Sequence, residues 1–200
     1  MSDARDRTIA AYQAHAEAYA GGTATVPDSV ARDLDDFTSR VGAGGRVLEI
    51  GSGSGRDARE LEARGLVVRR TDVTPAFVDL MRAAGHDADV LDPLADDLGG
   101  PYDGVWANAV LLHLSREDLP VVLERLHAVI VPGGTLFASL KEGDGDAWST
   151  HGHVDAPRHF TFWREEPLRA VLAGAGWRVA TVRHTRGSRD DWLDVYAERP

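Results

Sequence analysis

The chain contains no cysteine. That absence excludes disulfides, thiolate metal sites and a cysteine nucleophile, and it fits a reducing, cytoplasmic setting. There is no apolar run near the roughly 18 residues of a membrane-spanning helix. The opening segment, MSDARDRTIAAYQAHAEAYA, carries mixed charge and lacks the apolar core of a secretion signal. Positive charge is also scarce: 22 Lys and Arg stand against 32 Asp and Glu, a formal charge of −10. Bulk gripping of a nucleic-acid backbone is therefore disfavoured, a local basic patch aside. What the chain does have is 200 residues, 43% of them apolar, enough for one α/β domain with a sizeable core. We expect a single domain over 1–200, monomeric or homodimeric, with no repeat, linker or low-complexity tract.

Ile9, Tyr12, Ala16 and Tyr19 recur at helical spacing over 4–20. Ser29 is placed to cap a second helix over 30–41, which GAGG ends. Together, 1–45 read as N-terminal helices. RVLEI (46–50) is a short buried strand, and GRDARELEARG (55–65) a helix closed by Gly65. LVVRRTDV (66–73) is the next strand; a helix capped by Thr74 follows, with Pro75 in its first turn and Gly85 at its end. HDADVL (86–91) and YDGVWAN (102–108) read as strands three and four. The segment from Arg116 reads as a helix stopped by Pro132 and two glycines, before a fifth strand, TLFASL (135–140). A helix over 167–176 precedes two strands separated by RGSR, a closing β-hairpin. Strand–helix alternation from 46 onward predicts βαβ units: a doubly wound, Rossmann-like, mostly parallel seven-stranded sheet with a C-terminal antiparallel hairpin. Arg183, Arg186 and Arg189 are expected at the hairpin tip, and Asp87, Asp89, Asp92, Asp96 and Asp97 on a solvated face.

The chemistry concentrates in VLEIGSGSGRDA (47–58). In a doubly wound sheet the first strand–helix turn lies at the ligand edge, where glycines allow close approach of the backbone. A phosphate-cradling G-x-x-x-x-G-K-[ST] loop is excluded because Arg56, not lysine, follows the glycines. The dinucleotide pattern G-x-G-x-x-G fails by one place, since Arg56 stands at its third glycine. Glu49, two residues before the loop, would repel a pyrophosphate. An acid there suits a ligand with a positive charge or with N–H and O–H donors.

Glu49-Ile50-Gly51-Ser52-Gly53-Ser54-Gly55 resembles the first motif, E/D-x-G-x-G-x-G, of the class I S-adenosylmethionine-dependent methyltransferases. The resemblance implies that Gly51, Ser52 and Gly53 line the methionine end of S-adenosylmethionine, with Glu49 and Asp57 beside it. Asp72, ending the second strand, with Val73, would take the ribose hydroxyls, as an acid does in dinucleotide folds. HDADVLDPL looks like the third motif, whose acid meets adenine: Asp89 with Val90, or alternatively Asp92. DGVWANAVLLHL looks like the fourth; it would place Ala107 and Asn108 near the methionine and His113 at the start of the next helix. VPGGTL matches the turn before the family's fifth strand. The resemblance spans about 10–198. It also implies that Tyr12 and Tyr19 lie on a lid helix over the cofactor.

Methyl transfer from a sulfonium is an in-line displacement in which the cofactor carries the hard chemistry and the protein aligns the acceptor. A base is needed only for a protonated acceptor. His113 and His159 are the candidates, each with a structural reading beside it. The polar, aromatic insert 141–163 is expected as a loop facing the acceptor through Trp148, Arg158, His159 and Phe160. His151 and His153 are read as exposed histidines, with no metal site. The reading is a methyltransferase with a small-molecule acceptor and S-adenosylhomocysteine as product. A methyltransferase of RNA or protein, or a non-catalytic cofactor-binding module, is the alternative.

Overall fold

The computed structural model describes residues 3–187 and 189–200. Arg46–Ile50 (β1), too short for a helix and with Val47, Leu48 and Ile50 buried, forms an inner strand of the sheet. Val67–Asp72 (β2) and Tyr102–Ala107 (β4) flank it in parallel. Ala88–Val90 (β3) extends the sheet beyond β2, and Ile130–Lys141 (β5) beyond β4, also in parallel. A two-stranded ribbon, Asp146–Ser149 (β6) with Arg158–Thr161 (β7), stands apart from the main sheet. Arg178–Arg186 (β8) and Asp191–Glu198 (β9) form the closing hairpin, with β9 inserted antiparallel between β5 and β8. The seven-stranded order is β3-β2-β1-β4-β5-β9-β8.

Alternation along the strands sends side chains to two cores. On one face, Asp28–Val41 (α2) and Arg56–Ala63 (α3) bring Leu34, Phe37 and Leu61 against Val47, Trp106, Phe137 and Tyr196. Trp106 stacks on Phe137 with centroids 4.1 Å apart, and the Tyr196 hydroxyl donates to Asp33 Oδ1 at 3.0 Å, fixing α2 to β9. On the other face, Asp118–Val129 (α5) and Glu165–Gly174 (α6) pack Leu123, Leu126, Leu168 and Leu172 against Leu48, Val105, Leu136 and Val195. Pro75–Ala83 (α4) leans Val78 and Met81 on Ala88. Asp3–Gly22 (α1) lies across the carboxyl ends of the strands and contacts α4 and β7.

Several local expectations are corrected. α2 starts at Asp28 after Pro27, so Ser29 sits inside the first turn rather than capping it. Thr74 precedes α4, but its side chain makes no capping bond; Asp72 Oδ1 instead accepts the Thr74 N–H at 2.8 Å. α5 ends at Val129, and Pro132-Gly133-Gly134 form a bulge inside β5 rather than a helix stop. Glycine is required there: a Cβ on Gly134 would stand 2.5 Å from Ile130 Cγ2. His113 lies in a separate 3-10 turn, Leu111–His113, not at the start of α5. The insert is not an irregular loop, since β6 and β7 pair within it.

Candidate active site

The glycine loop leaves β1 and enters α3 with Gly51, Gly53 and Gly55 all in the left-handed region, at φ 70°, 55° and 72°. A Cβ on Gly51 would meet Val110 at 2.4 Å, whereas one on Gly53 would have only Tyr19 at 3.6 Å and would project into the cleft. The loop is held from β2: Ser52 N donates to Thr71 O at 2.9 Å, and Thr71 N to Ser52 Oγ at 3.1 Å. Asp72, 6% exposed, accepts Gly53 N–H on Oδ2 at 2.9 Å and so ties the loop to the end of β2. Burial raises its pKa, opposed by those backbone donors.

Glu49 is 2% exposed, and its Oε2 has no hydrogen-bond partner. Burial, then the nearby Asp57 charge, pushes its carboxyl up to about 8. A buried acid left short of a partner beside an open cleft is a receptor for a cationic group. Asp57 also lines this end, but its oxygens are engaged: Oδ1 by Arg56 Nε at 2.7 Å, Oδ2 by Trp106 Nε1 at 3.1 Å and Asn108 Nδ2 at 2.8 Å. It organises the cleft by holding other residues. Ser139 extends the network, donating to Asn108 Oδ1 at 2.7 Å and accepting Ala109 N–H at 2.8 Å. Ala109 is left-handed at φ 53°, a strain of roughly 1–2 kcal/mol at the centre of the site.

The helix α1 closes the cleft with Tyr12 and Tyr19, which form an aromatic cluster with Phe77 at centroid distances of 5.4–5.9 Å. Gln13 Oε1 accepts Ala76 N–H at 3.0 Å, Arg5 pairs with Asp92 at 2.6 Å, and Thr8 Oγ1 accepts His159 N–H at 2.9 Å. His113 Nδ1 must carry its proton, because it lies 2.7 Å from the His159 carbonyl. Its Nε2 then accepts the Tyr12 hydroxyl at 3.0 Å. Burial drives the His113 pKa down to about 4. Both ring nitrogens are therefore occupied in a neutral ring.

Two adjoining hollows share Tyr12, Tyr19, Ala109 and His113. The first takes in Gly51, Gly53, Asp72, Val73, Leu91 and Asn108. The second lies between α1, the end of β5, the ribbon and the β8–β9 turn, with Lys141, His151, Arg158, Phe160, Asp190 and Trp192 on its walls. A third hollow at the loop, sharing Tyr19, Gly51, Gly53, Asn108 and Ala109 with the first, is lined by Glu49, Ser52 and Asp57.

Other expected site residues lie elsewhere. Asp89 is exposed and pairs with Arg69 at 2.8 Å; neither it nor the exposed Val90 reaches the cleft, which Leu91 and Pro93 line instead. The alternative, Asp92, is beside the cleft through Arg5. Ala107 is buried under it. In β7, two-residue alternation turns Arg158 and Phe160 to the cavity and His159 away, to Asp146 at 2.7 Å. Trp148, opposite His159, shares its face, 40% exposed with the Arg7 guanidinium over its ring. Arg183 does not decorate the hairpin tip: it is bound to Asp33, and Asp36 and Asp194 lie 3.5 and 3.8 Å away. The residues missed were Ala109, Ser139, Phe77, Lys141 and Asp190. Only Ser139 and Lys141 carried any signal, as polar residues at the end of an apolar strand.

A doubly wound sheet with a glycine turn, an acid ending β2 and a helix over the strand ends defines a Rossmann-like fold with its ligand edge at the glycine loop. The family described as "Methyltransferase domain" matches residues 25–182. The chain is 31% identical over 201 residues to the malonyl-[acyl-carrier protein] O-methyltransferase of Serratia marcescens, covering 93% of this chain and 75% of that protein. It is 29% identical over 115 residues to the ubiquinone biosynthesis O-methyltransferase of Xanthomonas oryzae pv. oryzae, covering 53% of this chain and only 47% of that relative. Among solved structures, the 1,6-didemethyltoxoflavin-N1-methyltransferase of Burkholderia thailandensis, with bound 1,6-didemethyltoxoflavin and S-adenosylhomocysteine, superposes with a TM-score of 0.75 at 20% identity, over 98% of this chain and 86% of that one. The N-methyltransferase NodS of Bradyrhizobium japonicum WM9, with S-adenosylhomocysteine, gives 0.66 at 19%, over 86% of each chain. The chain belongs to the class I S-adenosylmethionine-dependent methyltransferases. Among the described residues, no helix is long and apolar enough to cross a membrane.

Proposed function

We propose that the protein transfers a methyl group from S-adenosylmethionine to a small-molecule acceptor held in the second hollow. The observation that carries this reading is the common wall of the two hollows, Tyr12, Tyr19, Ala109 and His113. A cofactor on the glycine loop and an acceptor against Phe160 would meet there under α1.

The residues present fit that cofactor. Glu49 offers the cofactor's ammonium a buried carboxyl whose Oε2 is unpartnered, Gly53 leaves the space a Cβ would fill, and Asp72 presents its remaining lone pairs to the ribose hydroxyls. Val73, Phe77 and Leu91 supply apolar walls for the base. When bound, S-adenosylmethionine supplies an activated methyl group on a sulfonium. The protein's own work is to align the nucleophile and exclude water, which α1 does by covering both hollows. His113 serves as a positioning residue: it orients the Tyr12 hydroxyl and is too weakly basic to take a proton near neutral pH.

Calorimetric titration with S-adenosylmethionine, S-adenosylhomocysteine and NADH tests the cofactor assignment. Binding of the first two but not the third is expected; binding of neither overturns it. Transfer of label from methyl-labelled cofactor into a low-molecular-weight extract, rather than into RNA or protein, tests the acceptor class.

A further inference from the structure

The chain as a whole carries a formal −10, yet the second hollow has the opposite sign. Its walls hold Lys141, Arg158 and Arg189 against a single acid, Asp190. Lys141, the only lysine in the sequence, is 3% exposed and is already matched, with Nζ 2.8 Å from Asp190 Oδ2. Arg158 is not matched. It is 5% exposed, and among the described residues no carboxylate lies within ion-pairing distance of it. Its Nη1 donates to the Tyr12 hydroxyl at 3.4 Å, its Nη2 to the His151 carbonyl, and its Nε–H has no acceptor. Arg189 adds a second cation with no ion-pair partner among the described residues.

A buried charge without a counter-charge is costly, and proteins rarely keep one. A guanidinium is also the group whose planar fork suits oxyanions. Around it, Phe160 lies beneath both cations: Arg158 Cζ is 5.4 Å and Lys141 Nζ 4.0 Å from its ring centroid. Trp192 and Tyr12 complete aromatic walls suited to a flat apolar body.

We propose that the methyl acceptor carries an oxyanion, a carboxylate or a phosphate, which Arg158 receives with Arg189 at the mouth, while its apolar body lies against Phe160. The proposal rests on the methyltransferase reading above, and it adds the charge class of the substrate. It also accounts for an acidic protein that keeps its one buried lysine and an unmatched arginine side by side.

The test uses the full chain saturated with S-adenosylhomocysteine, titrated with benzoate, phenyl phosphate and the neutral isostere benzamide up to roughly 10 mM, where even millimolar complexes are populated. Benzoate or phenyl phosphate should bind at least about tenfold more tightly than benzamide, and their ratio tells carboxylate from phosphate. Arg158→Gln should abolish that preference while S-adenosylhomocysteine affinity stays within about twofold of wild type. Arg189→Gln, an exposed change that leaves the buried contacts intact, should weaken both anions and flatten their dependence on salt. Equal affinity for benzamide, no anion binding to the saturated protein, or anion binding untouched by both substitutions would overturn the proposal. Failure of S-adenosylhomocysteine to bind would instead strike the cofactor reading beneath it.

Discussion

Glu49→Gln separates stability from function in this site. The free protein buries Glu49 with one oxygen lacking a partner, and its carboxyl titrates at about 8 instead of the ordinary 4.5. A raised carboxyl pKa means that the folded state holds a proton which the unfolded chain has released. Stability therefore falls as pH rises from about 4.5 to about 8, by ~1.4 kcal/mol per unit, and then levels off. At pH 7 the cost is roughly 3 kcal/mol, from two and a half units of that slope. Glutamine does not titrate, so the variant should gain about that much, or roughly 6–12 °C in Tm for a chain of this size. Urea unfolding of both proteins without cofactor, at several pH values from about 4.5 to 8, should show the two curves converging in acid and diverging toward neutrality. The same change should weaken S-adenosylmethionine binding by roughly 1.5–3 kcal/mol, the worth of a hydrogen bond to a charged group. Wild-type binding near pH 7 should release a proton, seen as a dependence of binding enthalpy on buffer ionisation heat; the variant should release none. Parallel stability curves, or unchanged cofactor affinity, would refute the reasoning.

Asp72→Ala should reduce cofactor affinity by roughly 1–3 kcal/mol and loosen the loop through the lost Gly53 contact; an unaltered Kd would remove Asp72 from the ribose site. Gly51→Ala should destabilise the fold, because its Cβ falls 2.4 Å from Val110, whereas Gly53→Ala should spare stability apart from about 1 kcal/mol of backbone strain and instead lower cofactor affinity; thermal melts and titrations distinguish the two. Because His113 stays neutral down to about 4, kcat/KM should show no inflection between about pH 5 and 7.5 that His113→Gln removes, and such an inflection would restore it as a base. Ser139→Ala should cost about 1–3 kcal/mol in urea unfolding, since it strips the Ala109 N–H and Asn108 Oδ1 of their partner.

The sheet was legible because its code is local. β1 falls at 46–50 as expected, and β2, β3, β4, the second half of β5 and the closing hairpin follow from period and punctuation. The positions of the glycine loop, of Glu49 near the end of β1 and of Asp72 at the end of β2 were legible because a close backbone approach and an acid at a strand end are written in residues near in sequence. What failed was what depends on distant partners or on pairing. The insert 141–163 is polar enough to resemble a loop, but its strands find each other, and pairing imposes an alternation that sends His159 and Trp148 away from Arg158 and Phe160. Asp89 failed for a similar reason: Arg69, on the neighbouring strand, claims it. Pro132-Gly133-Gly134 carry the same punctuation whether they stop a helix or bulge a strand, and only the pairing of Ile130 with Tyr102 decides. The meeting of Lys141 with Asp190 is a tertiary event that no spacing announces.

The helix α1 fully buries only Arg5, Thr8, Ala11 and Ala16, and it leans Tyr12 and Tyr19 on Phe77. It is latched by Gln13 on Ala76, Arg5 on Asp92, Thr8 on His159 and Tyr12 on His113. At about 0.5–1.5 kcal/mol net apiece, four such bonds add roughly 2–6 kcal/mol to the aromatic packing of Tyr12 and Tyr19 on Phe77. The same helix roofs both hollows. Its hold over both hollows is built from polar contacts on separate side chains, each of which can be removed singly.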